Sequence, residues 1–137
     1  MDASTANGVD VQSWEKGISA IALFVEDLAV AKQFYLETFG LPLLFEDDDA
    51  AMFKFGATYI KLLKNGEAGE LYAPATVGSH AAGSRVVLTL PVDDVDVRSA
   101  ELVARGVELL NGPIDRPWGI RTACFRDPDG HIWEIAK

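Results

Sequence analysis

Val25-Glu-Asp-Leu28 returns 67 residues later as Val92-Asp-Asp-Val95. Each copy ends an apolar run, Gly17-Ile-Ser-Ala-Ile-Ala-Leu-Phe-Val25 in the first half and Arg85-Val-Val-Leu-Thr-Leu-Pro-Val92 in the second. Runs of that length with few polar breaks suit well-buried strands. Each copy then opens a helix. Asp27 is a good N-cap, because its carboxylate accepts from the free amides of a first helical turn. Leu28, Ala31, Phe34, Tyr35, Thr38 and Phe39 recur at helical spacing, Gly40 can end the helix and Pro42 blocks its continuation. In the second half a helix runs from Asp93-Asp94-Val95 through Ala104, closed by Arg105-Gly106.

Working outward, Phe39-Gly-Leu41 matches Arg105-Gly-Val107, 66 residues on. Three short strands are expected after the first helix, at Leu43–Glu46, Ala51–Phe55 and Thr58–Leu63, turned by Asp47-Asp48-Asp49 and Gly56-Ala57. After the second helix come a strand at Val107–Leu110, a loop marked by Pro113 and Pro117, and a hairpin of Gly119–Arg126 with His131–Ala136. Asp127-Pro-Asp-Gly130 suits its tight turn, with proline presetting φ and glycine taking the positive φ. Each half is therefore strand, acidic cap, helix, glycine, strand, hairpin. Shared elements in one order at a nearly constant offset indicate duplication. The fold class is α+β, with two βαβββ modules. One module alone leaves a sheet face bare, so the two must bury against each other or against another chain.

The 137 residues fit one ordinary domain. Residues 1–16 are polar and acidic and read as a flexible leader rather than a signal peptide. The domain spans 17–137, with module one at 17–64, a linker at 65–84 and module two at 85–137. Gly66, Gly69, Pro74, Gly78 and Gly83 punctuate the linker, with one irregular strand expected near Leu71–Tyr72. No apolar run is long enough to span a bilayer. The net charge of −9 opposes binding to nucleic acid and favours cationic partners or plain solubility. Cys124 is the single cysteine, so no disulfide forms within the chain; a reducing cytoplasm fits. No zinc motif, Ser/His/Asp arrangement, phosphate loop or dinucleotide fingerprint is present.

Val25-Glu-Asp-Leu28, Phe34-Tyr35, Phe39-Gly-Leu41, Val92-Asp-Asp-Val95, Arg105-Gly-Val107 and Phe125-Arg-Asp-Pro-Asp-Gly-His-Ile-Trp-Glu134 together resemble the vicinal oxygen chelate superfamily. That group includes glyoxalase I, bleomycin-resistance proteins and extradiol dioxygenases. The resemblance covers Gly17 to Lys137. It implies curved mixed sheets around a small-molecule cleft, paired within one chain or across a homodimer. Relatives that use a metal take ligands from the first and last strand of each module. Those positions here hold Ala20, Lys61 (or Ile60, if the alignment slips by one), Val87 and Glu134. Alanine and valine offer no donor atom and an ammonium repels a cation, so the resemblance implies no metal and no cofactor.

Glu134 is the candidate acid/base, or a relic paired with a cation such as Lys61. Trp118 and Arg121 are candidate ligand contacts, with Trp118 alternatively a lid over the core. Phe24, Phe53 and Tyr59 are candidate cleft linings, although strand aromatics also serve simply as core. Cys124 reads as a small buried hydrophobe. Three functions follow. The first is a metal-independent binding protein that sequesters an aromatic or cationic small molecule, as antibiotic-resistance relatives do. The second is a lyase, isomerase or dioxygenase with an atypical metal site or with Glu134 as acid/base. The third is a domain whose main task is association with other proteins.

Overall fold

The computed structural model describes residues 14–137. The first thirteen residues of the expected leader lie outside the described residues. The elements run β1 (Ala20–Val25), α1 (Leu28–Phe39), β2 (Phe45–Glu46), β3 (Ala50–Phe55), β4 (Thr58–Lys64), α2 (Ala68–Tyr72), β5 (Val87–Pro91), α3 (Val95–Ala104), β6 (Leu109–Asp115), β7 (Arg121–Arg126) and β8 (Ile132–Ala136). Short 3-10 turns at Asn65–Glu67 and His80–Ala82 flank α2.

The strands form two four-stranded sheets of the same design, in the orders β1-β4-β3-β2 and β5-β8-β7-β6. The first strand of each is parallel to the last, and the remaining pairs are antiparallel. The α+β duplication is thus present in the backbone.

The helix caps explain where each helix starts. Asp27 accepts from the Val30 amide at 3.2 Å and Asp94 from the Val97 amide at 3.0 Å. Gly40 ends α1 in the left-handed region (φ 64°), its amide bonded to the Leu36 carbonyl.

Two expectations fail. Leu71–Tyr72 lie in a helix, not a strand. Ala68, Glu70 and Leu71 are good helix formers, and a short apolar run cannot by itself distinguish the two. Pro113 lies within β6 rather than in a loop. That strand is a sheet edge with register shifts on both sides of Asn111, and edges with bulges tolerate proline. The other strands keep their places with ends moved by a few residues.

Alternation along the strands gives each sheet a core face and a second face. Leu23, Val25, Ala51, Phe53, Ile60 and Leu62 supply the core from the first sheet; Ala123, Phe125, Trp133 and Ile135 supply it from the second. With Ala31 and Tyr35 of α1 and Val95 and Leu102 of α3 they form one continuous cluster. Phe39 knits it, its ring 5.0 Å from Phe55, 5.1 Å from Trp133 and 5.9 Å from Phe125. Arg105, at the end of α3, donates to the Thr38 carbonyl of α1 at 2.8 Å. The two halves therefore share a single core.

Candidate functional site

The second faces of the sheets carry the polar chemistry. Register places Ala22, Lys61, Met52 and Phe45 in one row across the first sheet. The matching row of the second sheet is Thr89, Glu134, Cys124 and Asn111. One step along, Ala20 pairs with Tyr59 and Val87 with Ile132. Lys61 and Glu134 are therefore structural equivalents, as are Ala20 and Val87. Ile60 is buried on the core face, which settles the one-residue ambiguity in favour of Lys61.

Glu134 is half-buried, and its Oε1 accepts from the Thr89 hydroxyl at 2.8 Å. The Cys124 sulfur lies 4.0 Å from the other carboxylate oxygen. Burial, and then the Glu134 charge, raise the Cys124 thiol above its ordinary value, so it is protonated at neutral pH. Glu134 and Lys61 form no ion pair with each other within the described chain. The pairing considered from sequence is not made in one copy.

The remaining candidates separate by strand parity. Phe24 and Tyr59 lie on the second face. Phe24 meets Tyr72 of α2 edge-on at 5.4 Å, and Lys54 sits 5.6 Å from the Tyr59 ring centre. Phe53 is fully buried against Tyr35 and cannot line a cleft. Arg121 shares parity with the buried Ala123 and Phe125. It reaches Asp96 on α3 at 2.8 and 2.9 Å and Asp115 at 3.0 Å. Its hydrogen bonds to Asp96 and Asp115 raise its pKa further and lower that of Asp96. Trp118 is 69% exposed in the turn between β6 and β7, so it does not lid the core.

Arg116, from the same segment, is the arginine that joins the second face. It donates to the Thr122 hydroxyl and to the Asn111 side-chain oxygen, both at 2.8 Å. Thr122 and Cys124 share parity with Glu134 across the β7–β8 pair, and that signal could have separated Arg116 from Arg121.

Asp127, which opens the β7–β8 turn, is buried and collects four hydrogen bonds. Its Oδ1 accepts from the amides of Asp129 and His131, and its Oδ2 from the Tyr35 hydroxyl at 2.6 Å. The His131 Nδ1 lies 2.7 Å from the same Oδ2. Trp133 Nε1 in turn donates to the Tyr35 oxygen at 3.0 Å. Burial, followed by Asp127, raises the Tyr35 pKa, so that phenol stays protonated. Burial alone would lower the His131 pKa, but the hydrogen bond and charge of Asp127 outweigh it and hold it above the ordinary histidine value.

A folded pKa raised above the unfolded value adds stability that is complete below the unfolded pKa and fades as pH climbs through the folded one. The melting temperature should therefore fall more steeply in the native protein than in His131→Asn as pH climbs through and above the ordinary histidine range. Equal slopes in thermal melts would refute the assignment.

Residues 17–135 match the family model described as Glyoxalase/Bleomycin resistance protein/Dioxygenase superfamily. The chain is 35% identical over 121 residues to the uncharacterized protein YraH of Bacillus subtilis, covering 85% of this chain and 94% of that protein. It is similar to a crystal structure of a glyoxalase/bleomycin resistance protein/dioxygenase from Nocardioides, with a TM-score of 0.78, 24% identity and coverage of 87% and 81%. It is also similar to a glyoxalase-related enzyme from Fulvimarina pelagi, with a TM-score of 0.75, 27% identity and coverage of 87% and 86%. Among the described residues no helix is long and apolar enough to cross a membrane, and no three His, Cys, Asp or Glu side chains are grouped to hold a metal ion.

Proposed function

Because this chain belongs to the Glyoxalase/Bleomycin resistance protein/Dioxygenase superfamily, we propose that its second sheet faces bind a small organic molecule without a metal. The observation that carries this reading is the pair of equivalent rows in which Lys61 stands opposite in charge to Glu134. The donor set does not fit a family-type metal. Ala20 and Val87 have no ligand atom, Lys61 is cationic, and a single carboxylate falls short of the three protein ligands such a site uses. The cleft instead offers one ammonium, one carboxylate held by Thr89, the Arg116 guanidinium, and the aromatic face of Tyr59. That mixture suits an aromatic or cationic ligand.

The cleft is completed in a homodimer. Within one copy the two rows stay unpaired, and apolar side chains on the second faces stand open, Phe45 at 50% and Val87 at 55% exposure. The acidic composition and the lone, buried cysteine suit a cytoplasmic setting.

Equilibrium titration against a panel of cationic glycopeptides and aromatic compounds tests this reading. A bound compound should lose at least about ten-fold in affinity, about 1.4 kcal/mol, on Lys61→Ala or Glu134→Gln. No binding tighter than about millimolar, or stoichiometric nickel, zinc, iron or manganese in protein purified without chelator, would overturn it. The Thr89 bond to Glu134 favours a second reading, in which Glu134 moves a proton on a bound substrate. Loss of turnover in Glu134→Gln, with folding intact, would select that reading.

A further inference from the structure

We infer that the pocket beneath the linker is a second ligand site, fitted to an aromatic zwitterion such as a free aromatic amino acid. The cavity measures about 310 Å³ and lies between β1, the linker and the β7–β8 turn. That volume falls in the range of small-molecule sites. Phe24 and Tyr72, packed edge-on at 5.4 Å, give it an apolar wall. Charges of both signs line the same space, Arg85 against Glu26 and Asp129.

Three features fit the pocket to a ligand that carries both charges. Neither Arg85 nor the Glu26 carboxylate forms an ion pair with any described residue. A molecule that excludes water from this pocket must therefore supply both counter-charges, or leave a desolvated charge behind. The His131 ring, which lines the cavity, is fixed in advance, because the buried Asp127 engages its Nδ1 at 2.7 Å. The wall is also closely fitted. The His80 ring rests over Gly130, where an added Cβ would lie 2.9 Å from Cδ2 and 3.1 Å from Nε2.

The matching ligand puts a carboxylate at Arg85, an ammonium at Glu26 and Asp129, and a planar ring against Phe24 and Tyr72. Asp129 keeps one oxygen for this, its Oδ1 being held by the Glu26 amide at 2.9 Å. A simple anion or a simple amine would satisfy only half of the site. The assignment does not depend on the reading of Lys61 and Glu134.

Calorimetric titration of the full chain with L-phenylalanine, phenylacetate and phenethylamine tests it. L-phenylalanine should bind at least about ten-fold more tightly than either analogue. Arg85→Gln should remove that advantage over phenethylamine, and Glu26→Gln the advantage over phenylacetate. Both side chains are on the surface, so both variants should melt as the native protein does. Lys61→Ala should leave the titration unchanged, which separates this site from the cleft. Equal affinities for the three compounds, no heat from L-phenylalanine up to about 10 mM, or loss of its binding in Lys61→Ala would each overturn the proposal.

Discussion

Asp127→Ala should lose about 3–5 kcal/mol of unfolding free energy, the largest effect of any single change at a polar side chain in this protein. The loss is not that of one bond. Removing the carboxylate strands the Tyr35 hydroxyl, the amides of Asp129 and His131, and the His131 ring, all of which point at it. Tyr35 is buried and Asp129 and His131 are half-buried, so water cannot fully replace what is taken away. The change also frees α1 from the β7–β8 turn, because Tyr35 belongs to one half of the chain and Asp127 to the other. Tyr35→Phe should cost less, about 1.5–3 kcal/mol, since the carboxylate keeps its other donors and only the Trp133 indole is newly unpaired. Urea denaturation of the two variants measures both. If Asp127→Ala unfolds within about 1 kcal/mol of the native protein, the network does not hold the halves together.

Gly112→Ala should be nearly as damaging, at about 3–5 kcal/mol. Gly112 sits in β6 at φ 92°, a region that L side chains rarely adopt. A methyl group built there would run into the Thr122 carbonyl oxygen and lie 2.6 Å from the Ala123 Cα and 2.9 Å from its Cβ. Those atoms belong to the backbone of β7 and to a fully buried side chain, so neither can step aside. The strand pair must open, and with it the Thr122 and Asn111 acceptors that orient Arg116. A lowered thermal midpoint together with weaker ligand binding is the expected pair of readouts. Gly56→Ala is the useful contrast. Gly56 has a similar positive φ, but nothing stands within 4 Å of its added Cβ, so only the backbone strain is felt.

Much of this architecture is legible in the residues. The caps at Asp27 and Asp94, the glycine stop at Gly40 and the turn at Asp127–Gly130 rest on local chemistry, and local chemistry does not need the tertiary fold to be read. The equivalence of Lys61 and Glu134 is legible only to within one residue, through the family resemblance, and the burial of Ile60 decides between the two. Facing was harder. Phe53 and Arg121 looked like ligand contacts until their strands were paired, and parity then placed both on the core side. Arg116 went unnoticed because it lies just beyond β6 and acts through Thr122 and Asn111, neighbours that only strand pairing supplies. Nothing in the residues around His131 marks it out. Its significance comes from a buried carboxylate four residues away and a tyrosine in the other half, contacts no spacing rule encodes. The helix at Ala68–Tyr72 is not legible, because five residues are too few to show a period.

The shared core has a consequence for descent. A chain that arose by joining two copies of one unit could in principle lose either copy again. Here Phe39 of the first unit packs on Phe125 and Trp133 of the second, and Tyr35 is tied to Asp127. Neither unit now owns a complete interior, so deleting one would strip the other of its packing. A single unit of this design would have to meet the same need by self-association, and fusion makes that partnership permanent. Once it is permanent, the two copies no longer have to match. Lysine in one and glutamate in the other, at one structural position, is the kind of asymmetry that an assembly of identical units can never acquire.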